Sequence, residues 1–509
     1  MEEMEDNDQK PQERLGEIPE DIATLKGKSV SGFGWATAQQ LLGRLTTFSV
    51  NLVLARLLVP EDFGVVAVLN IFIAISMALA DAGFASSLAR TEHLDEKDTS
   101  TVFYFTATMG LILYGIFFTA APWIADYFHN PLLTDVLRVL ALSFVIYAPG
   151  NVPGILIWRK MKFRQEVYIQ IIQGLISGSV GIIMALCGFR YWSLVALAIV
   201  NAAVRVALLF YFSGWYPKLV FSKERLKLHF AFGSRMAISK IIVSAYDNLT
   251  LAVIGRNFST RTLGLYNNAN SLYVVPVATM ADPIYKVTYP ILVKMQKDPD
   301  RLRAGYRRMI RLLFQLSCPV MSLLIALSSP LYHFLYGDKW MEAAPFFQIL
   351  CICGILYPIN SYNSNILEVT GRSDLHLRLE IARRTIGIIA IFTGLLFGVY
   401  GLLWSSVITQ VIYLYINTYY SGRIISYPLR QQLGELLPFA LMAGIAGGAV
   451  WVIDNMLLSN FADFFRLSLG SLVMGIVYLL LAYLFTREDL LYVWRLVLHH
   501  VLRRPAHQS

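Results

Sequence analysis

The chain has 509 residues, of which 56% are hydrophobic and only 15% are charged. Soluble domains carry about 25% charged residues, so this composition excludes an ordinary soluble enzyme and indicates a polytopic membrane protein. The formal net charge is +9, but the basic residues are scattered over short loops and form no single stripe, which argues against a nucleic-acid-binding protein.

The N-terminal region combines a polar tail with an unusual first helix. Residues 1–26 are predicted to form a disordered acidic tail, because they have almost no large apolar side chains to bury. They lack the features of a secretory signal, so the apolar segment 29–57 is expected to stay in the mature chain. A polar stripe at helical spacing runs along that segment, with a cation at its middle. It consists of Thr37, Gln40, Arg44, Thr47 and Asn51.

The rest of the chain is a series of long apolar segments joined by short connections. A helix needs roughly 20 apolar residues to cross a bilayer, and this criterion predicts about fourteen spans in an all-α membrane protein. No segment alternates as a barrel strand would. The predicted spans are 29–57, 62–89, 101–126, 132–157, 164–188, 191–215, 230–256, 262–293, 309–330, 342–369, 378–399, 401–422, 433–456 and 464–486.

Lysine and arginine are concentrated in alternate loops, and short cytoplasmic loops carry such an excess. The basic set includes 159–164, 294–311 and a connection to which Arg383 and Arg384 are assigned. This pattern predicts that both chain termini are cytoplasmic. The basic end, 488–509, is interpreted either as a surface helix over 491–504 or as an ordinary solvated tail.

The sequence repeats itself at an offset close to 200 residues. Phe33-Gly34 matches Phe232-Gly233, and Asp81 matches Asp282 after a shift of one residue. Arg56, Gly64 and Asn70 match Arg256, Gly264 and Asn270. The repeat predicts two parallel six-helix lobes, 27–216 and 230–424, joined by a cytoplasmic linker, 217–229. The last two spans, within 425–487, fall outside it.

Short motifs recur along roughly 27–425. They are Ala55–Gly64, Asp81–Phe84 with Arg90, Gly264–Asn267 with Ala269, Tyr289-Pro290, Gly337–Trp340 and Thr370–Asp374. In their order and spacing these motifs resemble the Wzx-type polysaccharide flippases of the MOP superfamily, in the branch that contains colanic acid exporters.

This resemblance implies a V-shaped, MATE-like two-lobe transporter, not an enzyme, in a bacterial inner membrane. It would move undecaprenyl-diphosphate-linked oligosaccharide repeat units to the outer leaflet by alternating access. The implied partners are the lipid-linked glycan, membrane lipids and a downstream polymerase or export machinery. No cofactor is expected.

Four cations within apolar spans suit an anionic diphosphate, which needs compensating charge in a low-dielectric core. We therefore predict that Arg44, Arg205, Lys240 and Lys286 contact the anionic headgroup. The alternative is that these cations neutralise intramembrane acids, as Lys240 would with Asp247 and Lys286 with Asp282.

Other polar residues within the spans are candidates for further roles. Those predicted to line the cavity and meet sugars, with core packing as the alternative for the aromatic ones, are Gln40, Asn51, Tyr266, Asn270, Tyr273, Asn360 and Asn363. The candidates for ion coupling are Asp247, Asp282 and Glu368. The candidate gates are Arg56, Arg256 and Asp81, with interfacial anchoring as the alternative for the arginines.

Three other classes of protein are alternatives to a flippase. A MATE-type cation-coupled multidrug antiporter would share the fold, but it calls for carboxylates where the first span has an arginine. A membrane-embedded polysaccharide polymerase or ligase needs an outer active site on a substantial loop, and the predicted outer loops are short. A scaffold without transport would leave the buried arginines unexplained.

The four cysteines lie in apolar segments without metal-site spacing, so no metal is expected.

Overall fold

The computed structural model describes residues 42–81 and 83–487. The predicted tail 1–26, the positions Phe33, Thr37 and Gln40, and the basic end 488–509 lie outside the described residues. Within them the secondary structure is helical, without strands, which confirms the all-α fold class.

Contacts between residues divide the chain into two compact units, and the division falls between Leu263 and Gly264. The first unit opens with helix α1 over 42–57. The helices that follow in it are α2 Pro60–Asp81, α3 Phe84–Arg90, α4 Glu96–Tyr127, α5 Leu132–Leu140, α6 Leu142–Tyr147, α7 Asn151–Arg159, α8 Phe163–Leu186, α9 Trp192–Ser213, α10 Lys223–Asp247 and α11 Leu249–Asn257.

Helix α12, Thr260–Met295, begins at the end of the first unit and continues into the second. The remaining helices of the second unit are α13 Pro299–Ala326, α14 Ser328–Tyr336, α15 Ala344–Val369, α16 Ser373–Leu395, α17 Gly398–Ile424, α18 Leu429–Ile453 and α19 Asp463–Phe485.

Each predicted span falls, where it is described, on one helix or on consecutive helices, and the first span is described only in part. Ten helices or helix runs among the described residues are long and apolar enough to cross a membrane, and the pair α10–α11, bent by 44°, would add an eleventh. Helices α12 and α16 are not among the ten, and each carries charged side chains within its length. The full set of fourteen crossings therefore stays a prediction.

Helix α1 packs on α8 through small residues. A Cβ atom added to Gly174 would lie 2.5 Å from Thr46 Cγ2, and one added to Gly178 would lie 2.5 Å from Val50 Cγ2. Glycines four residues apart let helices approach closely in a membrane, where packing replaces the hydrophobic effect as the driving force. The face of α1 that meets α8 thus carries Thr46 and Val50, whereas the stripe residues Thr47 and Asn51 are exposed.

Helix α10 is fastened to the first unit by polar contacts. His229 is buried and lies 2.8 Å from Ser87 Oγ and 3.2 Å from Asp98 Oδ1. Lys240 donates to Asp81 at the end of α2. The residue contacts thus place 217–263 with the first unit, a boundary that differs from the predicted start of the second lobe at 230. The repeat-based lobes themselves stay a prediction.

Arg159, at the end of α7, holds the end of α3 in place. Its buried guanidinium donates to the carbonyl oxygens of Leu88, at 2.6 Å, of Thr91, and of Glu92, at 3.0 Å. These carbonyls lie at the C-terminal end of α3, where no following helical N–H is available to donate to them. Arg159 is therefore a structural residue and not part of a basic loop.

Replacing Arg159 with methionine should lower the free energy of unfolding by about 2–3 kcal/mol, because buried carbonyls lose charged donors. Denaturant unfolding of the purified protein in detergent would measure this. The control is Arg164→Met, since Arg164 is exposed and donates to Tyr168 OH at 2.8 Å. Equal stability of Arg159→Met and the wild type would contradict the assignment.

The core of the second unit contains a buried polar network centred on Asn363. Its Oδ1 accepts from Tyr306 OH at 2.8 Å and from Ser421 Oγ at 2.5 Å, and its Nδ2 donates to Thr418 Oγ1 at 3.2 Å and Gln432 Oε1 at 3.1 Å. The network joins α13, α15, α17 and α18. Helix α18, which lies outside the repeat, is thereby part of the core of this unit.

His333, on the short helix α14, forms a second polar contact between elements of this unit. It bonds Asp463 at the start of α19 and lies 3.2 Å from Asp338. The hydrogen bond to Asp463, helped by the charges of Asp463 and Asp338, raises the pKa of His333 above its ordinary value. The imidazolium form therefore favours the folded state.

The pKa of His333 is raised in the folded state, so the protonated His333 stabilises the fold. This stabilisation is fully present below about pH 6.5 and is lost as the pH rises through the folded-state pKa. We expect the melting temperature of the wild type to fall only slightly over that window, since His333 is 49% exposed and solvent screens its ion pair. The His333→Asn variant should lack this component. A melting curve with the same pH dependence in both proteins would contradict the prediction.

Candidate functional site

The first unit contains a cavity of about 420 Å³, here named the Arg205 cavity. Helices α3, α7, α8 and α9 form its walls. Residues that line it include Ser86, Asn151, Trp158, Glu166 and Arg205. It combines charged, amide and aromatic side chains within segments that are otherwise apolar.

Arg205 and Glu166 form an ion pair in the wall of this cavity. The distance from Arg205 Nη2 to Glu166 Oε2 is 3.6 Å, and the two side chains are 21% and 12% exposed. The predicted phosphate-contacting cation is therefore balanced by a carboxylate that the sequence analysis did not single out. An Arg–Glu pair offers both donors and acceptors to a ligand.

Helix α8 carries further acceptors on the face that begins with Glu166. Gln170 and Gln173 follow at steps of four and three residues, so all three lie on one side of the helix. Glu166 Oε2, Gln170 Oε1 and Gln173 Oε1 are buried and have no hydrogen-bond partner among the described residues. Buried acceptors without donors are costly, so this face is suited to a ligand that brings hydroxyl donors.

The same signal that identified the stripe on the first helix was present on α8. A row of Glu166, Gln170 and Gln173 at helical spacing in an apolar segment is visible in the sequence. It was missed because Glu166 lies close to the predicted helix start, where a charged residue is ordinary.

Small residues and aromatic rings give the cavity its shape. A Cβ atom added to Gly150 would lie 2.8 Å from Val206 Cγ2, next to Arg205 on α9. Tyr147 and Trp158 also line the space. Ligand sites typically combine apolar and aromatic walls with a few fixed polar groups, and this cavity has that composition.

The stripe on the first helix is only partly described. Arg44 is half-buried on α1, whereas Thr47 and Asn51 are exposed, as is Arg56 near the end of the helix. Gln40 lies outside the described residues. The predicted contact of Arg44 with an anionic headgroup thus stays a prediction.

Lys240 and Asp81 were predicted separately, as a headgroup contact and a gate, and the structure brings them together as an ion pair. Lys240 is the more exposed partner, with 46% of its side chain accessible against 16% for Asp81. Asp247 is exposed at the end of α10, next to the bend between α10 and α11.

Two of the residues predicted to bind sugars in the second unit, Asn360 and Asn363, are buried and hydrogen-bonded within the protein. Asn360 is buried, and its Nδ2 donates to Gln410 Oε1 at 2.8 Å. Asn363 is 0% exposed and belongs to the polar network described above. Their hydrogen-bonding groups are occupied by the protein, so the expectation that these two amides face a cavity is not met in this conformation.

The aromatic and charged candidates on α12 have different environments. Tyr266 is buried, and Tyr273 and Asn270 are half-buried. Tyr273 packs toward Gly354, where an added Cβ atom would lie 3.1 Å from its ring. Lys286 is exposed, and the side chain of Asp282 lies outside the described residues.

Glu368, a candidate for ion coupling, lies at the end of α15 among titratable neighbours. Its Oε1 is 3.4 Å from His376 Nε2, and its Oε2 accepts from Tyr285 OH at 3.5 Å. His376 Nδ1 is in turn 3.4 Å from Ser364 Oγ. The cluster joins α12, α15 and α16.

Arg383 and Arg384 were assigned to a loop, and that assignment is wrong. Both lie well inside α16, and Arg383 donates to Ser364 Oγ at 3.2 Å and to Glu380. Arg383 Nε is buried without a hydrogen-bond partner among the described residues. The predicted span 378–399 already contained both residues, so the loop assignment rested on their charge alone and conflicted with that span.

A family model described as "Polysaccharide biosynthesis protein" matches residues 53–345, which is more than half of the sequence.

Two curated proteins are similar over most of the chain. The lipopolysaccharide biosynthesis protein WzxC of Escherichia coli (strain K12) is 26% identical over 432 residues, covering 82% of this chain and 86% of that protein. The succinoglycan biosynthesis transport protein ExoT of Rhizobium meliloti (strain 1021) is 28% identical over 346 residues, covering 67% of this chain and 69% of that protein.

Among solved structures, the lipid II flippase MurJ in an inward closed conformation aligns with a TM-score of 0.72. The alignment covers 89% of this chain and 99% of that one, at 15% identity. At this identity the likeness concerns the fold alone, and it agrees with the MATE-like helical fold that the resemblance predicted.

Proposed function

This chain belongs to the polysaccharide biosynthesis protein family, and we propose that it flips lipid-linked oligosaccharides across a bacterial inner membrane for surface polysaccharide biosynthesis. The substrate class is an undecaprenyl-diphosphate-linked repeat unit, carried by alternating access. The protein is a multi-pass membrane protein, and its role is transport rather than catalysis. Both termini are proposed to be cytoplasmic, from the distribution of lysine and arginine.

The observation that carries this proposal is the polar composition of the Arg205 cavity. Arg205 offers a planar guanidinium to phosphate oxygens, and Glu166 holds it in place in the free protein. Gln170 and Gln173 do not line the cavity, but they follow Glu166 on the same face of α8, where their buried Oε1 atoms could accept from sugar hydroxyls. A ligand with both an anionic diphosphate and hydroxyl groups satisfies these groups together.

Cations elsewhere in the chain support the same substrate class. Arg44 and Lys240 in the first unit and Lys286 in the second are retained as proposed headgroup contacts, and Arg383 is added to them because its Nε is buried without a partner among the described residues. An MATE-type antiporter for organic cations is not favoured, because the carboxylates Glu166 and Asp81 are already paired with cations.

The proposal also includes ion coupling through Glu368. A carboxylate beside His376 and Tyr285 can exchange a proton as these groups rearrange. Transport by reconstituted protein that responds to neither a proton gradient nor sodium would remove Glu368 from the mechanism without affecting the proposed substrate.

Complementation tests the function. The chain would be expressed in a bacterial strain that lacks a flippase for a diphosphate-linked repeat unit, and surface glycan would be quantified at matched membrane expression. Restored surface glycan is the expected result. Proteoliposomes containing a fluorescent undecaprenyl-diphosphate sugar provide a second assay, in which the protein should make inner-leaflet lipid accessible to an external quencher. Failure of both assays with correctly inserted protein would overturn the proposal.

A further inference from the structure

A second cavity of the first unit lies at the opposite helix ends from the Arg205 cavity. Its volume is about 530 Å³, and we name it the Arg256 cavity. It is enclosed by the start of α2, the ends of α4 and α11, and the connection before α9. The residues used below are Glu61, Asp62, Tyr191, Arg190, Arg256 and Ser259, all of which line it.

Asp62 presents an unused acceptor to this cavity. The residue is only 2% exposed. Its Oδ2 accepts from the Val59 backbone N–H at 3.3 Å, near the start of α2. Its Oδ1 is 3.3 Å from Arg190 Nε, outside hydrogen-bonding geometry, and has no hydrogen-bond partner among the described residues. A ligand hydroxyl would satisfy this atom, because a buried carboxylate oxygen without a donor is costly.

Two carboxylates and two arginines line the cavity, but a third arginine from beside it takes one of the carboxylates. Glu61 is paired with Arg261, which is outside the lining, at 3.0 Å, and Asp62 is paired with Arg190. Arg256 lies over the ring of Tyr127, with 4.8 Å between the guanidinium carbon and the ring centroid. No carboxylate among the described residues pairs with Arg256. With Arg261 counted, the arginines at the cavity therefore exceed the carboxylates by one.

We propose that the Arg256 cavity binds a sugar residue bearing a carboxylate, such as a uronic acid. Arg256 contacts the carboxylate, Asp62 Oδ1 accepts from a ring hydroxyl, and Tyr191 offers an aromatic face. The hydroxyl of Ser259 also lines the cavity, although it already bonds Thr262. This inference rests on the proposed function in one respect, namely that the sugar belongs to the transported glycan. The cavity then selects among glycans at a point separate from the Arg205 cavity.

Direct binding to the purified full-length protein tests the proposal. Saturation-transfer NMR in detergent would compare glucuronate, glucose and the neutral methyl ester of glucuronate. We expect glucuronate to bind at least about tenfold more tightly than the other two, since only it forms the charge-assisted contact. The comparison among ligands needs no variant, so it is unaffected by folding defects.

A matched pair of variants locates the site. Arg256→Gln should abolish the preference for glucuronate. Arg138→Gln should keep it, because Arg138 also stacks on a ring, that of Phe118 at 4.6 Å, and does not line the cavity. Equal binding of glucuronate and its methyl ester by the wild type would overturn the proposal, and so would an unchanged preference in Arg256→Gln. If glycan export is restored while the preference is absent, this inference falls and the proposed function stands.

Discussion

Replacing Arg205 with alanine should reduce glycan export at least about tenfold, because a cation that meets a phosphate in a low-dielectric cavity makes a strong, charge-assisted contact. Arg205→Lys should retain part of the export, since lysine keeps the charge but loses the planar fork. The measurement is surface glycan in the complemented strain at matched membrane expression. Arg164→Ala, which removes an exposed arginine from the start of α8, is the control.

The ion pair with Glu166 allows this prediction to separate two roles of Arg205. If the arginine merely neutralises Glu166, removal of both charges in Arg205→Ala/Glu166→Gln should restore export. If Arg205 contacts the substrate, the double variant should stay as defective as the single one. Full rescue would therefore show that Arg205 does not contact the substrate. The proposed flippase function would stand, with the other cations as the headgroup contacts.

Much of the fold was predictable because the bilayer imposes it. Backbone groups in lipid must be satisfied within a helix, so a long apolar run identifies a helix with little ambiguity. The prediction placed the spans on helices but misjudged where charged helices begin. Helix α13 shows the reason, since it begins at Pro299 whereas the predicted span begins at 309, after the arginine-rich first turns of the helix.

The partners of the site residues were far less predictable than the helices. Helical spacing tells which residues share a face, but not which element packs against that face. Asn363 was expected to face a cavity, and it lies instead at the centre of a buried network. Lys240 bonds a carboxylate 159 residues earlier in the chain, a contact that no local pattern contains.

The sequence located the motif residues, but it did not show what structural role their glycines have. Gly64 belongs to the motif that suggested the family, and the structure gives its reason: an added Cβ atom would lie 1.9 Å from the Thr260 carbonyl oxygen. Gly83 has a left-handed φ of 69°, and an added Cβ atom there would lie 2.1 Å from Gly233 O. Both glycines thus serve close backbone approaches within the first unit.

The network around Asn363 leads to the largest expected effect on stability. Asn363→Leu should lower the free energy of unfolding by about 2–4 kcal/mol, because the substitution leaves buried groups of Tyr306, Ser421 and Gln432 without their partner. Denaturant unfolding in detergent would measure the change. The shape of leucine is close to that of asparagine, so lost hydrogen bonds and not a cavity would dominate the effect.

An exposed amide provides the comparison that separates stability from substrate contact. Asn455 bonds the Trp451 carbonyl oxygen at 2.8 Å on the surface, and Asn455→Leu should change stability by less than about 0.5 kcal/mol. If Asn363→Leu unfolds like the wild type but loses export, the residue faces substrate, as its helical position alone suggested. If it loses stability while the remaining folded protein exports normally per molecule, the amide acts only in fastening α13, α15, α17 and α18 together, and the sugar contacts must lie on other residues.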